Sequence, residues 1–222
     1  ERTDGTSWEA FTQKRVLDPL GMKDTNFSVT ESEKSTNASL PYDIRDEKVV
    51  AIPYRNIDNI APAGSINSNL VDMVKWLKLH MTGKHEGKEI LPFDAIKETH
   101  TPHTVMKMTP DVLWSQYHEV GNLVYGLGWG TSTYRGHSMV WHTGGIDGFI
   151  AMVSFMPHED IGVIVLTNLN GNSGLALIPE LLAINADCCI VVLTGYASIA
   201  TAVDAIKLGA VQYLAKPVEI EA

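Results

Sequence analysis

Apolar positions recur in this chain with two different periods, and the change of period divides it into predicted regions. Near the start, Trp8, Phe11 and Leu17 keep a mostly helical rhythm. Thr6-Ser7-Trp8-Glu9 fits a capping box, and Pro19 predicts that the helix stops at about Leu17, with Gly21 permitting a tight turn. A polar stretch to Lys48 predicts surface loop or a short strand. Farther on, Leu70, Met73, Val74 and Leu77 stand at i, i+3, i+4 and i+7, with Asn67 to Asn69 available as cap and Gly83 as terminator, the clearest amphipathic helix in the chain.

From Gly136 the pattern becomes strand-like. His137 to His142, Phe149 to Met156 and Ile161 to Thr167 are candidate strands, and Pro157-His158-Glu159-Asp160 makes the last two an antiparallel hairpin. A helical pattern over Gly174 to Ala183 then breaks off at Asn185-Ala186-Asp187. Beyond that break the pattern is different: Cys189 to Leu193 is a continuous apolar run of the kind buried in parallel sheets. Ser198 can cap a helix with Ile199, Ala202, Val203 and Ile206 inward and Gly209 as terminator, and Val211 to Ala215 returns as a strand, which makes a βαβ unit. The predicted organisation is therefore two parts, residues 1–183 and 184–222. The first is an α/β part of the α+β kind, an antiparallel sheet flanked by helices, and the second is a partial parallel unit.

Composition narrows the function classes. With 222 residues and 45% hydrophobic content, the chain can bury one substantial core with a small appendage. Its 17 basic and 26 acidic residues give a net charge of -9 without a Lys/Arg cluster, which argues against nucleic acid as a partner. No apolar run approaches the roughly 20 residues of a membrane helix, and Glu1 to Ala10 lacks the basic flank and apolar core of a signal peptide. The two cysteines, Cys188 and Cys189, are adjacent and read as packing thiols. The eight histidines are scattered, so neither a metal nor another cofactor is expected.

Four segments carry candidate chemistry: Asp18-Pro19-Leu20-Gly21-Met22-Lys23-Asp24-Thr25, Ala61-Pro62-Ala63-Gly64-Ser65, Tyr125-Gly126-Leu127-Gly128-Trp129 and Trp141-His142-Thr143-Gly144-Gly145. In this order they resemble the class C β-lactamase family, which includes penicillin-binding esterases and D-amino-acid peptidases, over residues 1–183. The resemblance implies acyl transfer, in which a serine activated by Lys and Tyr attacks a lactam, ester or amide carbonyl of a small-molecule or peptide substrate. His142-Thr143-Gly144 matches the third motif of that family, expected on an edge strand. His142 and Thr143 would then bind the substrate's polar or anionic end, and the Gly145 N–H would supply half of an oxyanion hole. Glycines at 144 and 145 suit a strand against which a substrate lies.

The remaining motifs depart from the family. None of the serines is followed by Lys at the third position, so the nucleophile motif S-x-x-K is absent, and no serine is flanked as G-x-S-x-G. Tyr54-Arg55-Asn56 satisfies Y-x-N but comes after the Pro-Leu-Gly-Met segment, whereas the family's second motif precedes it, and it reads as a chance match. The chain is thus expected to lack the N-terminal part of the hydrolase and to keep only a substrate-side wall.

Residues Ile190 to Pro217 resemble the last third of a response-regulator receiver domain, a flavodoxin-like fold, especially those of redox-responsive two-component regulators. The resemblance implies that Thr194 contacts a phosphoryl group, that Tyr213 changes rotamer with it, and that Lys216 forms an ion pair with it. The phosphoacceptor and metal-binding acids of that family belong upstream, where hydrolase-like sequence stands. Asp46-Glu47 and Glu159-Asp160 read as solvated charge there.

The expected function is a truncated β-lactamase-family serine hydrolase, inactive alone. The alternatives are an interaction module acting through the receiver fragment without phosphotransfer, or a chimera of two coding pieces joined near residue 184. The two resemblances imply conflicting compartments, periplasmic or secreted for the first and cytoplasmic for the second, and oligomeric state is left open.

Overall fold

The computed structural model of the chain describes residues 5–46, 48–107, 119–170, 191–194, 207 and 212–215. It divides into two compact units, Glu1–Leu169 and Asn170–Ala222.

In the first unit, α1 (Trp8–Thr12) is capped by Ser7, whose side chain accepts from the Ala10 N–H, one residue later than a box starting at Thr6 would have it. The helix does not stop before Pro19. It runs on through a π-helical turn (Gln13–Leu17) into α2 (Asp18–Leu20) and ends at Gly21, φ 61°. Pro19 normally breaks a helix because it lacks an N–H and its ring meets the carbonyl four residues back. The wider π turn shifts that register, with the Asp18 N–H bonding the Gln13 carbonyl, and so admits the ring.

The polar stretch holds a short helix, α3 (Val29–Ser32), capped by the Ser28 side chain, and an antiparallel hairpin of β1 (Tyr42–Arg45) and β2 (Lys48–Ala51). A 3-10 segment (Asp58–Ala63) precedes α4 (Leu70–Thr82). The α4 helix has the boundaries its pattern predicts: Asn69 accepts from the Asp72 N–H, and Gly83 ends it in the left-handed region, φ 72°. A second small hairpin, β3 (Lys84–His85) and β4 (Lys88–Glu89), leads to α5 (Phe93–His100), which the apolar pattern does not mark.

The main sheet contains β5 (Thr104–Val105), β6 (Val124–Tyr125), β7 (Gly130–Tyr134), β8 (His137–Ile146), β9 (Phe149–Met156) and β10 (Ile161–Thr167), in the order β10-β9-β8-β7-β6-β5 and antiparallel throughout. The β9–β10 hairpin matches its predicted ends and turn. Strand β8 runs four residues beyond His142, through the glycines to Ile146.

Helix α4 is the middle layer. Leu77 packs on the sheet with Trp129, Val140, Val153 and Phe155, while Leu79 joins Leu17, Leu20, Met22 and Ile96. The other sheet face is covered by Val120, Leu123, Met139 and Trp141. Because α4 is packed on two sides, its buried arc differs from the predicted stripe: Asp72, Leu77, Leu79 and His80 are buried, whereas Leu70 at the head of the stripe is 54% exposed.

In the second unit, β11 (Val191–Thr194) and β12 (Gln212–Ala215) pair in parallel, Val192 opposite Tyr213 and Thr194 opposite Ala215, with Lys207 helical between them in sequence. The helix expected over 174–183, the join at 183/184, Cys188, Cys189, the Ser198 cap, Glu47 and Lys216 lie outside the described residues.

Candidate functional site

The site is built on a change of neighbours along β8. Residues His137 to Trp141 pair with β7 on one side, and Val140 to Ile146 pair with β9 on the other. From His142 to Ile146 the strand therefore has a partner on β9 only, and among the described residues its other edge is open. The expected edge position is thus local: β8 is interior to the sheet over its first half and an edge over its second.

His142, Thr143, Gly144 and Gly145 are all exposed there. Successive side chains of a strand leave on opposite faces, so His142 and Thr143 flank the open edge from its two sides and do not converge on one point. A Cβ on Gly144 would meet Ala151 at 3.8 Å and one on Gly145 would meet Ile150 at 3.6 Å, both ordinary contacts. Packing within the fold does not require glycine at either position.

His142 is held by Tyr125, a residue to which no catalytic motif assigns a role. The Tyr125 hydroxyl lies 2.8 Å from His142 Nε2. Tyr125 pairs with Gly130, which in turn pairs with Trp141, so Tyr125 stands two strands from β8 and one register position from His142. Its backbone is pinned next door: the Gly126 N–H donates to the Trp129 carbonyl and the Leu127 N–H to the Thr99 carbonyl. A Cβ on Gly126 would come within 2.4 Å of the Thr99 oxygen, so the glycine is required. The signal in the sequence is the Tyr-Gly-Leu-Gly-Trp segment itself.

The Ala61–Ser65 segment reaches the end of the same strand, where a Cβ on Gly64 would make an ordinary contact with Ile146 Cδ1 at 3.6 Å. Ser65 is buried and its hydroxyl has no hydrogen-bond partner. Among the described residues no hydrogen bond joins a serine hydroxyl to a Lys, His or Tyr side chain, so none shows the activation a nucleophile requires. Tyr54 donates to the Ser39 carbonyl at 2.7 Å and stacks on Phe149, and Asn56 bonds Asp58 through its amide nitrogen. Burial first, then the charge of Glu33, pushes the Tyr54 phenol above its usual range, which disfavours it as a phenolate. At the turn after β8, Arg55 pairs with Asp147 at 3.1 Å.

The Asp18–Thr25 segment lies against α4. Asp72 accepts from the Asp24 N–H and the Thr25 hydroxyl, and Lys75 bonds both Asp72 and the Gly21 carbonyl. Burial works against the Asp72 charge, but the bonds from Lys75, Asp24 and Thr25 outweigh it and hold the carboxyl below its ordinary range.

A pair of histidines, His80 buried and His100 half-buried, is announced by no motif in the sequence. His80 Nδ1 lies 2.8 Å from His100 Nε2, and Trp76, Trp129 and Phe155 surround the pair. Burial, with the neighbouring His100 adding to it, pushes His80 down to about 3, and burial pushes His100 down to about 4. Both are neutral core groups at physiological pH. Among the described residues no group of three His, Cys, Asp or Glu could hold a metal, and no helix is long and apolar enough to cross a membrane.

An antiparallel sheet backed by helices is the α/β arrangement of β-lactamases and penicillin-binding proteins. The structure of the octameric penicillin-binding protein homologue from Pyrococcus abyssi matches with a TM-score of 0.62 and 25% identity, over 81% of this chain and 38% of that one. The beta-lactamase family profile matches residues 1–186, and the chain belongs to that family.

Among curated relatives, the unguisins hydrolase ungD' of Aspergillus campestris is 28% identical over 74% of this chain and 29% of its own length. A beta-lactamase of Pseudomonas fluorescens is 30% identical over 75% of this chain and 49% of its own. The chain thus spans less than half the length of these relatives. A separate partial match covers 56 residues: the photosynthetic apparatus regulatory protein RegA of Cereibacter sphaeroides is 48% identical over 25% of this chain and 30% of its own.

Proposed function

We propose that His142 to Gly145 form the substrate-side wall of a β-lactamase-family acyl-transfer site for lactam, ester or D-amino-acid amide bonds, and that this 222-residue chain alone completes no turnover. The observation that carries the reading is the open half of β8. In an antiparallel ladder, alternate residues turn their N–H and C=O away from the paired strand, so His142 to Ile146 offer backbone hydrogen bonds to an extended ligand. An N–H from Gly145 on that side would meet the oxygen on which charge develops as a carbonyl is attacked. His142 and Thr143 would contact the polar end of the substrate from either side of the edge.

What the wall lacks is a nucleophile. No serine of the chain has Lys three residues on, and Ser65, which follows the Gly64 that lies against Ile146, has a hydroxyl with no hydrogen-bond partner. The test is incubation with a chromogenic cephalosporin and a p-nitrophenyl ester, followed by intact mass measurement. No burst and no added mass are expected, whereas acylation of any serine here refutes the assignment of the chain as wall only.

A second reading attaches to residues 184–222, supported by the RegA match and by the parallel pairing of β11 and β12. In it Thr194, Tyr213 and Lys216 belong to a receiver fragment that docks on a regulator without phosphotransfer. Stable phosphorylation of an Asp by acetyl phosphate would contradict this form of it.

A further inference from the structure

We infer that Tyr125 is a positioning residue that fixes the tautomer of His142 and thereby makes its Nδ1 a permanent hydrogen-bond donor to an acidic or carbonyl oxygen of the ligand. This rests on the proposed wall formed by His142 to Gly145.

The Tyr125 hydroxyl and His142 Nε2 are 2.8 Å apart, and one of them must donate. A phenol, with an ordinary pKa of about 10, is a far better acid than a neutral imidazole N–H, and an imidazole nitrogen is a better acceptor than a phenol oxygen. Tyr125 therefore donates to Nε2, and the ring proton of neutral His142 resides on Nδ1. Among the described residues Nδ1 has no protein partner, and His142 is exposed beside the open edge of β8, so that N–H is accessible to a ligand there.

Protonation of His142 does not alter what Nδ1 offers. The imidazolium gains its proton at Nε2, the Tyr125 hydroxyl turns to accept it, and Nδ1–H stays a donor. Without the phenol, a neutral histidine favours the Nε2–H form, and Nδ1 becomes an acceptor that repels a carboxylate or a carbonyl oxygen. The preference for an acceptor ligand is thus set by Tyr125 acting through His142. The phenol can perform this role because the Gly126 and Leu127 N–H bonds fix the backbone beside it.

The test is long-range 1H–15N correlation of histidine rings in the full 222-residue chain. The expected spectrum has a protonated Nδ1 and an unprotonated Nε2 at His142, reversing in Tyr125→Phe while the Trp129 and Trp141 indole signals stay in place. A predominantly Nε2–H ring in the unmodified chain overturns the inference, whether or not the variant folds, and so does a tautomer unchanged by Tyr125→Phe. Acetate, titrated at constant ionic strength as a carboxylate probe, is expected to move the His142 and Thr143 signals and to bind about fivefold more weakly to Tyr125→Phe, the loss of about one hydrogen bond. If the tautomers behave as stated but acetate moves neither signal, the wall reading fails and the role of Tyr125 in setting the ring proton stands.

Discussion

Asp72→Ala tests what holds the first unit together. Asp72 is 1% exposed, and its carboxylate is the shared acceptor for the Asp24 N–H, the Thr25 hydroxyl and the Lys75 ammonium. Each bond to a charged group contributes about 1.5–3 kcal/mol, but their loss is not simply additive. Thr25 keeps the Ser68 hydroxyl at 2.8 Å, and Lys75, whose side chain is 28% exposed, regains water and keeps the Gly21 carbonyl. The group stranded outright is the Asp24 N–H. The net cost is therefore about 3 kcal/mol, at the low end for breaking a buried ion pair.

For a chain of this size each kcal/mol moves the melting temperature by about 2–4 °C, so a fall of about 6–12 °C is expected. Asp72→Asn keeps one acceptor oxygen and should lose about half as much. Thermal unfolding monitored by tryptophan fluorescence reads this, since Trp76 and Trp129 sit in the core that α4 supports. The carboxyl titrates below its ordinary 3.8 in the fold, so its contribution is present above that pH and is lost as the pH falls through the lower folded value. The gap between the parent and Asp72→Ala should close in acid. A loss under about 2 °C, or a gap that does not narrow in acid, refutes the clamp.

Three further outcomes are expected. His80 and His100, pushed down to about 3 and about 4, stay neutral in the fold while unfolded histidines protonate near 6.5; stability should fall as the pH drops from about 6.5 to 4 with a slope of up to about 2.7 kcal/mol per unit. Denaturant titrations of the parent and of the double variant His80→Phe/His100→Leu should show that component disappear. Gly148→Ala, with φ 86° and a Cβ 2.3 Å from that of Pro41, should cost at least about 2 kcal/mol, whereas Gly136→Ala, with φ 85° in open space, should cost about 1, by urea denaturation. Gly144→Ala should leave the melting temperature within about 2 °C, because its methyl meets only Ala151 at 3.8 Å, yet weaken acetate shifts at Thr143 if the open edge is the ligand wall.

Parts of this molecule are legible one residue at a time. Helix α4 is readable because its cap, its period and its terminator are local: Asn69, the Met73–Leu77 spacing and Gly83 act within a few residues of each other. The β9–β10 hairpin is readable for the same reason, two apolar runs across a four-residue turn. Strand β8 is longer than its pattern, because Thr143, Gly144 and Gly145 show no side-chain alternation and extend only by pairing with Met152, Ala151 and Ile150. The stop that Pro19 predicts fails because a π turn, which no residue pattern announces, rearranges the bonds its ring would break.

The sequence by itself determined the type of most strong elements, the order of the four hydrolase-like segments and the absence of S-x-x-K, since each depends on residue identity at short spacing. The tertiary structure alone decided which of those segments meet. It brought Tyr125 to His142 and Gly64 to Ile146, and sent the Asp18–Thr25 segment to α4 as a clamp. It also placed His80 and His100 together among aromatic rings and left the second half of β8 open on one side. These are contacts between residues 17 to 82 positions apart, set by strand register and helix packing, and no local pattern of apolar and polar residues encodes them.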